Sequence, residues 1–191
     1  MPDVFEVLGA DHADVKGMLT VLSESPGHAD PDKAVQAARQ DVVDYLVMDS
    51  SRHEAAEEQY FWPTVRQRVE NGNELADKAI SQETKAKEIL AKLDKASSKD
   101  QEFDELLIQF IPAARQHIAF EENRVWPSLR EALSPAESEE LGEKIQRAEE
   151  KAPTRPHPHT PPSPGVLKTA GPAMALIDRL RDAVSGRGRT D

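Results

Sequence analysis

Apolar residues recur along this chain every three to four positions. No stretch alternates with period two over the length of a strand, so the pattern predicts an all-α protein. The first helix is expected to open at Asp3 with Glu6 in the capping-box position, and to carry Phe5, Leu8, His12, Val15, Leu19 and Leu22 on one stripe until Pro26-Gly27 ends it. Asp30-Pro31 reads as the N-cap and first turn of a long second helix with Val42, Leu46, Ser50, His53, Glu57 and Tyr60 inward, broken at Gly72. A third helix turns Ala76, Ala79, Glu83, Ala86, Leu90 and Leu93 to the core. The fourth follows Ser97-Ser98 with Phe103, Leu106, Phe110, Ala113, His117 and Phe120 inward; Pro112 and Pro127 are expected to kink or interrupt it. A short fifth helix begins at Ser134-Pro135-Ala136-Glu137, where an N-cap, a first-turn proline and a capping-box glutamate coincide. Four antiparallel helices joined by short turns bury such stripes against one another, so the expected architecture is an up-down-up-down four-helix bundle.

Length and charge narrow this picture. The 191 residues suit one domain with an appendage, and the formal charge of −11 argues against a phosphate-backbone partner, so no nucleic acid is expected. The chain has no cysteine, which removes disulfides, thiolate metal sites and cysteine nucleophiles. No apolar run is long enough to insert stably in a membrane, and Met1-Pro2-Asp3 leads into no export signal, so a cytoplasmic location is expected. The charge is uneven: residues 151–191 carry a net +4 and the first 150 carry −15. The break coincides with Pro153, Pro156, Pro158, Pro161, Pro162 and Pro164. A bundle over 1–150, a Pro-rich linker over 151–170 and a C-terminal amphipathic helix and tail over 171–191 are therefore expected. That helix would carry Met174, Ile177, Leu180 and Val184 between Gly171-Pro172 and Gly186; docking on the acidic body is its favoured role, with joining two subunits or touching an anionic surface through Arg179, Arg181, Arg187 and Arg189 as the alternatives.

Chemistry enters through the residues that interrupt the stripes. His12, His53, Glu57, Glu83, His117 and Glu121 all fall where the pattern points inward, and buried unpaired carboxylates are costly. Two segments also repeat, His53-Glu54-Ala55-Ala56-Glu57-Glu58-Gln59-Tyr60-Phe61-Trp62-Pro63 and His117-Ile118-Ala119-Phe120-Glu121-Glu122-Asn123-Arg124-Val125-Trp126-Pro127. Six of their eleven positions are identical, including the His, both Glu, the Trp and the Pro. Residues four apart lie one above the other on a helix, so each His-x-x-x-Glu pair can reach one metal or two neighbouring metals. His12 and Glu83 add one donor from each remaining helix. Nitrogen and oxygen donors without thiolate suit iron and manganese ahead of zinc.

At these residues the chain resembles the bacterial hemerythrin-like, or HHE cation-binding, domain, over roughly Val4 to Ala148. The resemblance implies a bundle holding two non-haem iron ions with an oxo or hydroxo bridge, with manganese or zinc less suited. His12, His53 and His117 would be terminal ligands and Glu57 and Glu121 bridges. Glu83 stands where the family pattern has a histidine, and a third carboxylate favours ferric over ferrous iron. The implied small-molecule partners are O2, hydrogen peroxide and NO, consumed in stress handling instead of carried reversibly. A catalase- or peroxidase-like activity is one form of this. An iron or oxygen sensor or reservoir without turnover is the alternative, and either a monomer or a homodimer is compatible.

Neighbouring residues have ordinary structural roles open to them as well. Glu54 would point about 100° from His53 and reads as solvated surface, with an extra metal ligand as the alternative. Glu58 and Glu122 read as surface or as supports for the ligands. Tyr60 reads as core packing, with contact to a ligand as the alternative, and Tyr45 as a residue of the same channel. Lys87, one turn from Glu83, is a candidate partner for it. Phe61, Trp62, Phe120 and Trp126 are expected to pack the bundle and exclude water. His28 is expected to face solvent, and His157 and His159 to form no specific metal site.

Overall fold

The computed structural model describes residues 1–157 and 164–185, and contains helices without strands among them. Helix α1 spans Val4–Glu24 and α2 spans Lys33–Ala56, which runs through a π-helical turn, Glu57–Phe61, into α3, Trp62–Arg68. Helix α4 is Gly72–Leu93. Helix α5, Gln101–Phe120, continues through a second π-helical turn, Glu121–Val125, into α6, Trp126–Ala132. Helix α7, Pro135–Glu149, packs on α1 and α2, and α8 spans Pro164–Ser185. The long segments α1, α2–α3, α4 and α5–α6 form the expected four-helix bundle.

Caps fix where the helices start. Both expected capping boxes form: Asp3 accepts from the Glu6 N–H while Glu6 accepts from Asp3, and Ser134 and Glu137 do the same for α7. Helix α2 starts later than Asp30-Pro31 would place it. Asp32 is its N-cap, accepting from the Ala34 N–H, while Asp30 turns its carboxylate to the Asp32 N–H. Gly72 does not itself end the second helix but begins α4, behind Asn71 at φ 58°. A Cβ at Gly72 would lie 2.1 Å from the Val65 carbonyl oxygen, so only glycine permits this close turn.

The two π turns are the main departure from the periodic reading. Each starts at the central glutamate of the repeat and ends before Trp-Pro, with the Trp62 N–H bonded to the Glu57 carbonyl and the Trp126 N–H to that of Glu121. Pro63 and Pro127 have no N–H, and in a regular α-helix their rings would press on the carbonyl four residues back. One extra residue in the turn relieves that conflict and shifts the register of everything beyond it. Pro112, by contrast, stays inside α5 on an exposed face without interrupting it. The inner stripes are also offset by one residue in places: Val43 and Ala114 are buried, whereas Val42, Ala113 and Phe120 are half-buried.

The core divides into two apolar clusters. One contains Leu19, Leu46, Leu90, Phe103 and Phe110; the other contains Leu8, Phe61, Trp62, Ala79 and Leu129. Along every long helix the two are separated by the ionisable residues His12, His53 and Glu57, Glu83, and His117 and Glu121. Burying each large apolar side chain contributes roughly 1.5–3 kcal/mol, so these clusters can hold a costly polar layer between them.

The C-terminal region differs from expectation in two ways. Helix α8 begins at Pro164, inside the stretch read as linker, because proline is well suited to a first helical position. Its acidic side faces inward and its apolar side outward: Asp178 and Asp182 are buried, while Leu176, Ile177 and Leu180 are 61%, 51% and 61% exposed. Arg155 causes this. It spans Asp94, which caps α4, and Asp182, while the Thr154 hydroxyl donates to Asp182 and His157 Nε2 lies 3.0 Å from Asp178. Arg179 and Arg181 stay exposed, although Arg179 donates to the Glu150 carbonyl. His159, Arg187 and Arg189, with the side chains of Lys168 and Val184, lie outside the described residues.

Candidate metal centre

The seam between the clusters brings together all six residues picked out by the interrupted stripes. Glu57, Glu83 and Glu121 are at most 1% exposed, and His12, His53 and His117 at most 9%. Two donor sets form, each with its ligand atoms within 4.8 Å of one another: His12, His53 and Glu121, and Glu57, Glu83, His117 and Glu121. Glu121 belongs to both. Its Oε2 lies 3.1 Å from His12 Nε2 and its Oε1 lies 2.9 Å from His117 Nε2, so one carboxylate faces each set with one oxygen. Glu57 Oε2 lies 3.4 Å from His53 Nε2 and so touches the first set while belonging to the second. Glu83 Oε1 is 3.7 Å from His117 Nε2.

These atoms fit a metal better than they fit one another. Both oxygens of Glu57, both of Glu121, Glu83 Oε2, His12 Nε2 and His117 Nε2 are buried without a well-aligned hydrogen-bond partner. Each unsatisfied buried polar group costs about 1–3 kcal/mol, and charged groups more. So many in one pocket fit a cation, and oxygen with imidazole nitrogen is a donor set for iron, manganese or zinc.

The outer nitrogens of the histidines are held by residues the stripe pattern did not identify for that purpose. His12 Nδ1 lies 3.1 Å from Glu122, His53 Nδ1 3.2 Å from Asp11 and His117 Nδ1 3.4 Å from Gln82. With a proton on Nδ1 directed at those oxygens, each ring presents the Nε2 lone pair to the pocket. Trp62 Nε1–H donates to Glu83 Oε1 at 2.7 Å, while Trp126 stacks on His12 with centroids 5.0 Å apart and planes 10° from parallel. Glu122 and both tryptophans were visible as members of the repeat. Asp11 and Gln82 carry no periodic signal, because each reaches its histidine from another helix.

Several readings of the surroundings change. Glu54 and Glu58 are buried, not solvated. Lys87 on α4 covers them, 3.4 Å and 2.8 Å away, and so is engaged with these two carboxylates instead of serving as the expected partner of Glu83. Tyr45 is exposed on the outer face of α2 and joins neither donor set. Tyr60 is half-buried and lines a cavity of about 320 Å³ between the first π turn, α7 and α8. His28 is not free in solvent: its backbone N–H donates to Asp104 and its ring lies 2.8 Å from the same carboxylate.

Electrostatics reflect the crowding. Burial, reinforced by Glu121 and Glu83, pushes the Glu57 carboxyl well above its ordinary 4.5. Burial raises Glu83 to about 8 even though His117 opposes it. For His117 burial favours the neutral ring, but Glu121 outweighs it and lifts the imidazole to about 9. Glu121 is the exception among the carboxyls: burial would raise it, yet His117 and His12 hold it well below the usual range.

A cleft of about 580 Å³ lined by Asp11, Asp14, Asp49, Arg52, His53 and Glu149 reaches this layer at His53. Asp11, His53 and Glu149 form a third close group at its floor. Burial and Asp11 raise the Glu149 carboxyl to about 8.

Comparisons with known proteins agree with the geometry. The family model for the hemerythrin HHE cation binding domain matches residues 3–129, which contain every member of the two donor sets. An uncharacterized hemerythrin-like protein of Schizosaccharomyces pombe is 31% identical over 138 residues, covering 72% of this chain and 68% of the relative. A crystal structure of a hemerythrin HHE cation binding domain-containing protein from Mycobacterium kansasii superposes with a TM-score of 0.65. It is 21% identical and covers 93% of this chain and 99% of that one, a likeness of fold.

Proposed function

This chain belongs to the hemerythrin HHE cation-binding family, and from that premise we propose that its polar layer holds two non-haem iron ions reacting with hydrogen peroxide, O2 or NO. The carrying observation is the group of unsatisfied buried atoms on Glu57, Glu83, His117 and Glu121, joined to His12 and His53 through Glu121. His12, His53 and His117 would be terminal ligands, Glu57 and Glu83 carboxylate ligands, and Glu121, which belongs to both donor sets, would touch both ions. Such a pair of ions supplies reversible one-electron steps and open positions for a small oxidant. The protein's own residues set the conditions. Asp11, Glu122 and Gln82 orient the imidazoles; Trp62 directs Glu83; and Phe61, Trp62 and Trp126 wall the pocket. Glu83, a carboxylate where imidazole would be neutral, adds negative charge that favours ferric iron and turns the centre from reversible carriage to consumption of the oxidant. No helix among the described residues is long and apolar enough to cross a membrane.

A second reading, a sensor without turnover, is favoured by one contact: α8 rests on the π turn that carries Glu57. Stopped-flow mixing of the iron-loaded protein with peroxide separates the two. Many peroxide molecules consumed per centre, with the iron retained, support the scavenger; one equivalent consumed, with a change in α8 protection, supports the sensor.

A further inference from the structure

The two donor sets differ in kind. His12, His53 and Glu121 offer two nitrogens and one carboxylate, and that carboxylate is shared. Glu57, Glu83, His117 and Glu121 offer one nitrogen and three carboxylates. Nothing in the repeat requires this: each half contributes one His and one Glu, and the inequality comes from the other helices, where α1 supplies His12 and α4 supplies Glu83. The three carboxylates of the second set, Glu57, Glu83 and Glu121, are essentially inaccessible. The acidic cleft reaches the layer at His53, a member of the other set.

Resting on the dinuclear reading above, we propose that the two positions are unequal and fill in order. The first ion settles among Glu57, Glu83, His117 and Glu121, and the second is taken by His12, His53 and Glu121. Three buried carboxylates converge there, so a cation gains more attraction from them than from the single shared carboxylate of the other set. Trp62 sharpens the preference. By donating to Glu83 Oε1 it holds that carboxylate in place and leaves Oε2, which has no other partner, for the ion. Hard oxygen donors prefer a hard ion such as Mn2+ or ferric iron, whereas the two-imidazole position suits ferrous iron or zinc. An ion arriving through the cleft meets His53 first and passes inward, and once the inner position is full the next ion stays in the outer one. Two different metals offered in sequence would therefore occupy different positions.

Anaerobic titration of the metal-free full chain with Mn2+, followed by electron paramagnetic resonance, tests this without any turnover. Ordered filling predicts two steps at least tenfold apart in affinity. An isolated mononuclear signal should peak near one equivalent, then give way to a spin-coupled signal near two. Glu83→Gln should weaken the first step at least tenfold. His53→Gln should remove the second step and leave the first, so that the mononuclear signal persists in excess Mn2+. Thermal melts of both variants check the fold, and Glu57→Gln substitutes for Glu83→Gln if that chain does not fold. A coupled signal from the first addition, statistical filling of equal positions, or a first step sensitive to His53→Gln and insensitive to Glu83→Gln would overturn the ordering while leaving a dinuclear centre standing. A single binding step saturating at one ion would overturn the dinuclear reading itself.

Discussion

The segments from His53 to Pro63 and from His117 to Pro127 share a sequence pattern and a π turn, yet they meet different surroundings. In the first, Glu57 has no aligned partner for either oxygen, and Glu54 and Glu58 lie buried under Lys87. In the second, Glu121 lies between His12 and His117, while Glu122 reaches outward to Lys16, whose side chain is 46% exposed. The tryptophans diverge too: Trp62 donates to Glu83, whereas Trp126 stacks on His12 and its Nε1 has no acceptor. A duplicated motif thus fixes where the donors stand along their helices, and the unpaired helices α1 and α4 decide what each half can do.

The sharpest test of that difference removes one carboxylate from each half. Glu121→Gln strips a donor from both sets and should lower binding of both ions by on the order of 100-fold, because removing ligands and their supports commonly costs this much. Glu57→Gln should weaken binding less and leave the stability of the metal-free protein nearly unchanged, since burial already disfavours a charge on that carboxyl and an amide replaces it. Metal analysis and melting curves of the two proteins check this, and equal effects would erase the comparison. Next in size are the lysines. Lys87→Met leaves two buried carboxylates without a counter-charge and should cost about 3–5 kcal/mol. Lys16→Met on the exposed pair should cost less than about 1 kcal/mol in denaturant unfolding.

The metal-free protein should also respond to pH in a defined sense. Glu83 is raised from 4.5 to about 8 and His117 from 6.5 to about 9, so between those values the folded state holds more protons than the unfolded one. Their stabilising contribution is present at low pH and is lost as pH rises through that window. Glu121, held low, acts oppositely and contributes only above its ordinary 4.5. The melting temperature should therefore be highest near pH 5 and fall by on the order of 10 °C by pH 9, and loading metal should flatten the curve, because ligation displaces these protons. A metal-free protein whose stability rose with pH across this range would contradict the assignment. The smallest contrast is between the tryptophans. Trp62→Phe removes the donor to Glu83 and should cost about 1–3 kcal/mol and alter the metal spectrum. Trp126→Phe breaks no hydrogen bond and should cost less than about 1.5 kcal/mol with the spectrum kept.

Much of this was legible in the sequence because both the bundle and its interruptions follow helical spacing. His12, Glu83 and the doubled pairs stood out as ionisable groups on apolar stripes, and the capping boxes at Asp3 and Ser134 marked two helix starts. The π turns were not legible from periodicity, which assumes a constant turn, although Pro63 and Pro127 inside helical patterns were the signal for them. Glu54 and Glu58 escaped because their burial depends on α4 bringing Lys87 over them. Helix α8 was misoriented by its own stripe: Leu176, Ile177 and Leu180 look outward because Arg155, Thr154 and His157, from a proline-rich segment with no periodic signal, engage the opposite face.

The central claim is a dinuclear iron centre built from these two unequal halves, and metal analysis of freshly purified protein together with its absorption spectrum tests it most directly. The expected result is two irons per chain with a near-ultraviolet oxo-to-iron charge-transfer band, both lost in Glu121→Gln. Zinc alone, or a single iron without that band, would contradict it.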